Sequence, residues 1–124
     1  MTTWLRGIRG ATTVEKDEPE LILEATGELL QKLLEANGLA DTEAVASIIF
    51  TTTADLRSAF PAEAARRLGM TYVPLMCMQE IPVPGSLPRA IRILMHVNTD
   101  KPQNEIRHLY LRNAARLRPD LASP

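Results

Sequence analysis

The chain has little cysteine and almost no net charge, and each shortage excludes a class of protein. A single cysteine, Cys77, rules out an internal disulfide framework, and no pair of Cys or His residues has the spacing of a structural zinc site. Fourteen basic residues against fifteen acidic ones leave a net charge of −1, so no basic field exists to attract nucleic acid or an anionic membrane. We expect no metal, no nucleic-acid partner and no membrane partner.

Long apolar runs are also missing. No window approaches the length of a membrane span, and the first residues, Met1 to Arg6, lack the apolar core of a signal peptide. With the single cysteine, these absences predict a soluble protein of the reducing cytoplasm.

The 124 residues predict one domain, 1–124, of which 116–124 form a C-terminal tail. A domain of this size is short for a drug-sized pocket of its own, which favours a site shared between subunits.

Signatures of covalent and acid–base catalysis are absent as well. The chain has no nucleophile elbow and no Walker A loop, and the segment from Gly7 to Gly10 is too short and wrongly spaced for a dinucleotide fingerprint. His96 and His108 lie in strand-like contexts, where a packed or surface imidazole is commoner than a catalytic one. A lone strand cysteine is usually a small buried hydrophobe. We expect no cofactor.

Apolar periodicity and turn residues predict five strands and two helices. The predicted helices are a long one, capped by Asp17 and stopped at Asn37-Gly38, and a short one over Ala62–Leu68. This order predicts a small α/β or α+β sheet with the helices on one face, and of the two we expect an α+β fold with a mixed sheet. Because both faces of the strand 90–97 are mainly apolar, partner subunits are the simplest cover for the second face. The predicted strands are Trp4–Val14, Ala44–Thr53, Tyr72–Met78, Ala90–Asn98 and Ile106–Leu111.

Arginine is abundant by contrast, since eleven of the fourteen basic residues are arginines. A compositional bias of the genome or the growth temperature explains this as well as bidentate anion recognition does. Arg92 is the most informative, because it lies in a strand built to be buried and an unpaired guanidinium is costly to bury. Its partner is either a protein carboxylate, with Glu80 the evident candidate, or a ligand. The residues alone leave both interpretations open.

Five candidate functional residues lie at strand ends and in the tail. Small neighbours leave room for a ligand at Arg9, and Glu80 directly follows a strand, where functional side chains are common. The five are Arg9, Glu80, Arg92, Tyr110 and Arg118.

Dispersed motifs then follow one another over nearly the whole chain, from about Arg6 to Leu121. In this order they resemble the monofunctional chorismate mutases that form a trimeric pseudo-α/β-barrel. The motifs are Arg6-Gly7-Ile8-Arg9-Gly10-Ala11-Thr12-Thr13-Val14-Glu15, Asp55-Leu56 with Phe60-Pro61-Ala62, Tyr72-Val73-Pro74, Cys77-Met78-Gln79-Glu80, Ile91-Arg92, Ile106-Arg107-His108 with Tyr110-Leu111, and Leu117-Arg118-Pro119-Asp120-Leu121.

The resemblance implies a homotrimer that binds the dicarboxylate chorismate between adjacent subunits and converts it to prephenate, a step of phenylalanine and tyrosine biosynthesis. Arg92, Glu80 and Arg9 would be the catalytic residues. Arg92 would donate to the ether oxygen of the breaking bond, Arg9 and Tyr110 would bind a carboxylate of the enolpyruvyl arm, and Glu80 would hold the ring hydroxyl. The remaining substrate-binding residues would be Phe60, Ala62, Arg66, Met76, Cys77, Met78, Gln79, Leu117 and Arg118.

The implied reaction is an intramolecular Claisen rearrangement in which no proton need move, and this agrees with the missing acid–base signature. Two positions depart from the family pattern, because Glu63 stands where a lysine is common and Met76 where a threonine is common.

Two other functions remain open. One is a trimeric imine or enamine deaminase with Glu80 as the acid, and the other is a metabolite-binding trimer without turnover.

Overall fold

The computed structural model describes residues 2–117. Five strands form one mixed sheet in the order β3-β2-β4-β1-β5. Strand β4 is antiparallel to both β1 and β2, whereas β3 runs parallel to β2 and β5 parallel to β1. The elements are β1 (Trp4–Thr13), α1 (Pro19–Ala36), β2 (Val45–Thr52), α2 (Ala62–Arg67), β3 (Leu75–Gln79), β4 (Ala90–Thr99) and β5 (Leu109–Tyr110), with short 3-10 helices at Thr42–Ala44, Gln103–Glu105 and Arg112–Arg116.

Both helices cover the same face of the sheet, where the main core lies. Alternate strand residues point to this face because side chains in a strand alternate with a period of two. They meet Leu29, Leu30 and Leu33 of α1, and together these side chains form one continuous buried cluster. The strand residues with the least exposure in this core are Ile8, Ile48, Phe50, Ile93, Met95 and Val97.

Close approach of α1 to β1 requires a glycine at position 10. A Cβ atom on Gly10 would lie 2.9 Å from Cδ1 of Leu33, 3.0 Å from Cδ1 of Leu29 and 3.2 Å from the carbonyl oxygen of Leu109. A side chain there would push the helix off the sheet. Gly10 therefore sets the distance between α1 and the strand that carries Arg9.

The opposite face of the sheet, which we call the open face, carries neither α1 nor α2, and only the 3-10 helix at Arg112–Arg116 packs on it among the described residues, over Ala11 and Tyr110 at the β1–β5 edge. Leu94 and His96 of β4 and Ile49 of β2 lie on it, and all three are half-buried. Met76 and Met78 of β3 lie on it as well and are 55% and 49% exposed. The predicted apolar second face, which α1 and α2 leave uncovered, is thus present.

The structure confirms the α+β fold with one long and one short helix, but it corrects the cap of α1. The helix starts after Glu18, which makes no side-chain capping bond. The predicted cap, Asp17, accepts hydrogen bonds through Oδ1 from the Ser58 hydroxyl (2.7 Å) and from the backbone N–H groups of Ser58 and Arg57. These bonds, the Ser58 hydroxyl first, hold the pKa of the Asp17 carboxyl below its usual value of 3.8.

The fifth strand is shorter than predicted, because side chains replace the expected strand ladder before Leu109. Asn37 donates to the carbonyl of Arg107 and accepts from its N–H, each at 2.9 Å. The N–H of Arg9 donates to Nδ1 of His108 at 2.9 Å. Among the described residues, no helix is long and apolar enough to cross a membrane.

Candidate functional site

Arg92 reaches the open face because of its register in β4. It lies directly opposite Thr51 of β2 and Ala11 of β1, and alternation along the strand places it on the same face as Leu94 and His96. Its side chain keeps 33% of its surface exposed. The strand that looked too apolar for an arginine therefore presents the guanidinium at the uncovered face.

Glu80 approaches Arg92 from the other side of β2. Its N–H donates to the carbonyl of Thr52 at 2.8 Å, which extends the β2–β3 pairing by one residue. Its Oε1 lies 2.6 Å from Nε of Arg92. The Nε–H bond does not point at this oxygen, however, and Nε is a buried donor without a hydrogen-bond partner. The contact is a close charge pair and leaves the hydrogen-bonding capacity of the Arg92 fork unused within residues 2–117.

Arg9 and Tyr110 extend this group toward the other edge of the sheet. Arg9 lies opposite Leu94 on the open face, is exposed, and makes no side-chain hydrogen bond or ion pair within residues 2–117. Tyr110 pairs with Ala11 and is 3% exposed. Ala11 stands between Arg92 and Tyr110 in the sheet and is fully buried against Tyr110 and Ala114, and the strands of Arg92 and Tyr110 are about 10 Å apart by two strand spacings.

These pairings form one row across the sheet, which we call the central row. Neighbouring strands contribute Met78, Thr51, Arg92, Ala11 and Tyr110 in turn. Glu80 and Arg9 stand beside the row. The structure thus brings together four residues that are far apart in sequence, and it places two cations and one anion around a surface of small and apolar groups.

A second group of predicted residues lines a separate cleft of about 310 Å³ between the 52–61 segment and β3. Phe60 is 74% exposed there, beside Cys77, Met78 and Gln79. Cys77 is half-buried and packs against the main core. The cleft does not include Arg92 or Arg9, so the predicted residues of one chain occupy two surfaces, which meet at Met78.

The other predicted residues are distributed around these two surfaces. Ala62 is buried in the core at the start of α2. Arg66 is exposed, and its Nη1 pairs with Oε2 of Glu63 at 3.1 Å. Leu117 packs against the cluster that contains Tyr110. Arg118 lies outside the described residues.

Sequence reasoning missed the neighbours of Arg92 within the sheet, Thr51 and Ala11. Both flank Arg92 only through strand pairing, and a single sequence does not reveal which residues of two distant strands lie opposite each other. Within residues 2–117, no cluster of His, Cys, Asp or Glu side chains could hold a metal ion.

Helices cover one face of the mixed sheet, and the guanidinium groups of Arg9 and Arg92 lie on the other. This arrangement defines a small α+β protein suited to binding a compact anion. Residues 5–121 match the family model of chorismate mutase type I, and the chain belongs to this family. It is 64% identical over 119 residues to chorismate mutase AroH of Thermus thermophilus, covering 96% of this chain and 98% of that protein. It is 50% identical over 119 residues to chorismate mutase AroH of Bacillus subtilis (strain 168), covering 95% and 93%.

The fold agrees with a solved member of the family. A chorismate mutase from Clostridium thermocellum matches with a TM-score of 0.86 and 52% identity, over 88% of this chain and 96% of that one. The predicted family, the α+β fold and the assignment as an isomerase are therefore confirmed. The deaminase and the non-catalytic alternatives have no support from these comparisons.

Proposed function

We propose that the open face binds chorismate and that the chain converts it to prephenate. The observation that carries this proposal is the Arg92 guanidinium, which lies on the open face beside Arg9 and whose Nε–H has no hydrogen-bond acceptor despite its charge pair with Glu80. In the rearrangement a C–O bond breaks while a C–C bond forms. The protein must hold a flexible dianion in its reactive shape and stabilise the negative charge that grows on the ether oxygen.

Arg92 is placed to perform the electrostatic part. An enzymatic acceleration of about 10⁶-fold corresponds to about 8 kcal/mol of barrier, and removal of one preorganised oxyanion-type donor typically costs roughly 2.7–4 kcal/mol. Arg92, as donor to the ether oxygen, would then supply about a third to a half of the lowered barrier. Its interaction strengthens as the oxygen becomes more anionic, which is the differential binding that catalysis requires.

Confinement of the substrate supplies much of the rest. Arg9 and Tyr110 bind a carboxylate of the enolpyruvyl arm, and Glu80 accepts the hydrogen of the ring hydroxyl. The charge pair between Glu80 and Arg92 keeps both groups on the open face before substrate arrives. This mechanism needs neither a cofactor nor a nucleophile.

The second wall of the site comes from a neighbouring subunit of a homotrimer. This explains why the predicted residues of one chain lie on two surfaces, and why Met76 and Met78 leave an apolar face uncovered. The cleft at Phe60 would close over the open face of the next subunit. The proposed location of the protein is the cytoplasm. The residues of this wall would be Phe60, Ala62, Arg66, Cys77 and Gln79, with Met76 and Met78 at its border with the open face and Leu117 and Arg118 at the mouth.

The test is to mix purified protein with chorismate and follow the loss of the ring-diene absorbance, together with the appearance of prephenate. Arg92→Lys keeps the charge but loses the fork, and we expect its kcat to fall by about 10²–10³-fold or more. The matched control is Arg67→Lys, because Arg67 pairs with Glu20 on the helical side, and its kcat should equal that of the wild type. Near-normal turnover in a folded Arg92→Lys protein would remove Arg92 from the mechanism.

A further inference from the structure

Within residues 2–117, three buried side-chain atoms able to form hydrogen bonds have no partner. They are Oγ1 of Thr12, Oγ1 of Thr51 and Nε of Arg92. A buried polar group without a hydrogen-bond partner destabilises the folded state, so each such group needs an explanation. Two of the three, Thr51 and Arg92, are direct neighbours in the sheet.

The register places the Thr51 side chain directly beside Arg92. Thr51 lies opposite Arg92 in the β2–β4 pair and shares the open face with it. Opposite residues on one face have Cβ atoms about 4.5–5.5 Å apart. Glu80 follows β3 on the far side of β2, so its carboxylate crosses β2 to come within 2.6 Å of the guanidinium. Glu80 continues the β2–β3 pairing one residue beyond Thr52, so its carboxylate crosses β2 diagonally, from the level of Thr53 to that of Thr51, which lies opposite Arg92.

A hydroxyl at this point can serve both neighbours at once, because it has one donor and two acceptor positions. The Arg92 Nε–H lacks an acceptor, while the ionised Glu80 carboxylate can only accept hydrogen bonds and needs a donor. We propose that Thr51 is a positioning residue for the reaction. Its hydroxyl accepts from Arg92 Nε–H and donates to Glu80 when substrate occupies the site, and this leaves the terminal nitrogens of the fork free for the ether oxygen.

This inference rests on the proposed role of Arg92. The hydroxyl of Thr51 would determine the orientation of the Arg92 guanidinium. Without the hydroxyl, the Nε–H has no acceptor on the open face, and the guanidinium gains most by turning further toward Glu80. A fork that faces Glu80 is directed away from the reacting oxygen. The loss should therefore appear in turnover more than in substrate binding.

The experiment compares three variants in the full-length protein by steady-state kinetics with chorismate. Thr51→Val removes the hydroxyl and keeps the shape, and we expect kcat to fall at least about tenfold, which is what one hydrogen bond to a charged group supplies, while KM changes by less than about twofold. Thr51→Ser retains the hydroxyl and should restore kcat to within about threefold of the wild type.

Thr12→Val is the matched control, because Thr12 also carries a buried hydroxyl without a partner but lies opposite Ile91 rather than Arg92. Its kcat should remain that of the wild type. Neither valine variant should melt below the wild type, since each loses an unpaired buried hydroxyl. If Thr51→Val does not fold, Thr51→Ala is compared with Thr51→Ser in its place.

Two results would overturn the inference while leaving the proposed function intact. One is wild-type kcat in Thr51→Val, and the other is equal impairment of Thr51→Ser and Thr51→Val, since the hydroxyl would then not be responsible. In both cases Arg92→Lys would still lose its turnover. If Arg92→Lys instead kept normal turnover, the proposed role of Arg92 would fail, and the role of Thr51 would fail with it.

Discussion

At the scale of single residues, the contact between Arg92 and Glu80 decides how the site is interpreted. A buried salt bridge made for stability uses well-aligned hydrogen bonds to repay the cost of removing two charges from water. Here both side chains keep contact with solvent, at 33% and 24% exposure, and Nε–H is not aligned with the carboxylate. The pair is therefore better suited to exchanging partners with a ligand than to holding two strands together.

Cys77 provides the residue-scale prediction. Its side chain packs partly into the core, and the proposed rearrangement needs no thiolate. We expect Cys77→Ser to retain near-normal kcat for chorismate and to lose stability by about 1–3 kcal/mol, because a hydroxyl replaces sulfur in a mainly apolar environment. Steady-state kinetics and urea unfolding measure the two effects. Complete loss of turnover in a folded Cys77→Ser protein would indicate covalent chemistry instead.

At the scale of elements, the contact between α1 and β1 makes a sharp prediction about two glycines. Gly10→Ala places a Cβ 2.9 Å from Leu33 and 3.2 Å from the backbone oxygen of Leu109, and overpacking of this kind costs about 1–3 kcal/mol. Gly27, inside α1, has no atom within 4 Å of an added Cβ. Gly27→Ala should therefore stabilise the protein by about 0.5–1 kcal/mol through helix propensity.

Chemical unfolding of the two variants measures both changes under identical conditions. Because the substitution is the same, opposite signs would show that packing space decides the outcome at position 10. A Gly10→Ala protein as stable as the wild type would mean that α1 moves away from β1 without cost.

The elements also show where sequence patterns are reliable. The long helix and the alternation in β4 were predictable because helical spacing and strand alternation are local properties of the chain. Asp17 was misassigned as the helix cap because its actual donors, at Arg57 and Ser58, are about forty residues away. The fifth strand was drawn too long because Asn37, at the end of α1, takes over the backbone groups of Arg107.

At the scale of the whole molecule, the proposed shared site predicts complementation between defective subunits. Arg92→Lys would damage the wall on the open face, and Arg66→Glu would damage the wall that a neighbour provides. Each variant alone should be nearly inactive. When equal amounts are refolded together, about a quarter of the sites should regain both intact walls, because in a symmetric trimer each site takes its two walls from different subunits.

Turnover of the refolded mixture, compared with each variant refolded alone, measures the effect. Light scattering of the same samples gives the oligomeric state. A mixture no more active than the sum of its parts would contradict a site shared between subunits.

The sequence by itself determined the family and the α+β class. It also showed that an arginine lies in a mainly apolar strand, where its charge requires an anionic partner. These follow from motif order and local periodicity, which need no knowledge of distant contacts. Only the tertiary structure decided that Glu80 crosses β2 to reach Arg92 and that Thr51 lies opposite Arg92 in the sheet. The physical reason is that strand order and register arise from pairings between segments some forty residues apart, and a shift of one residue would move every side chain of β2 to the other face.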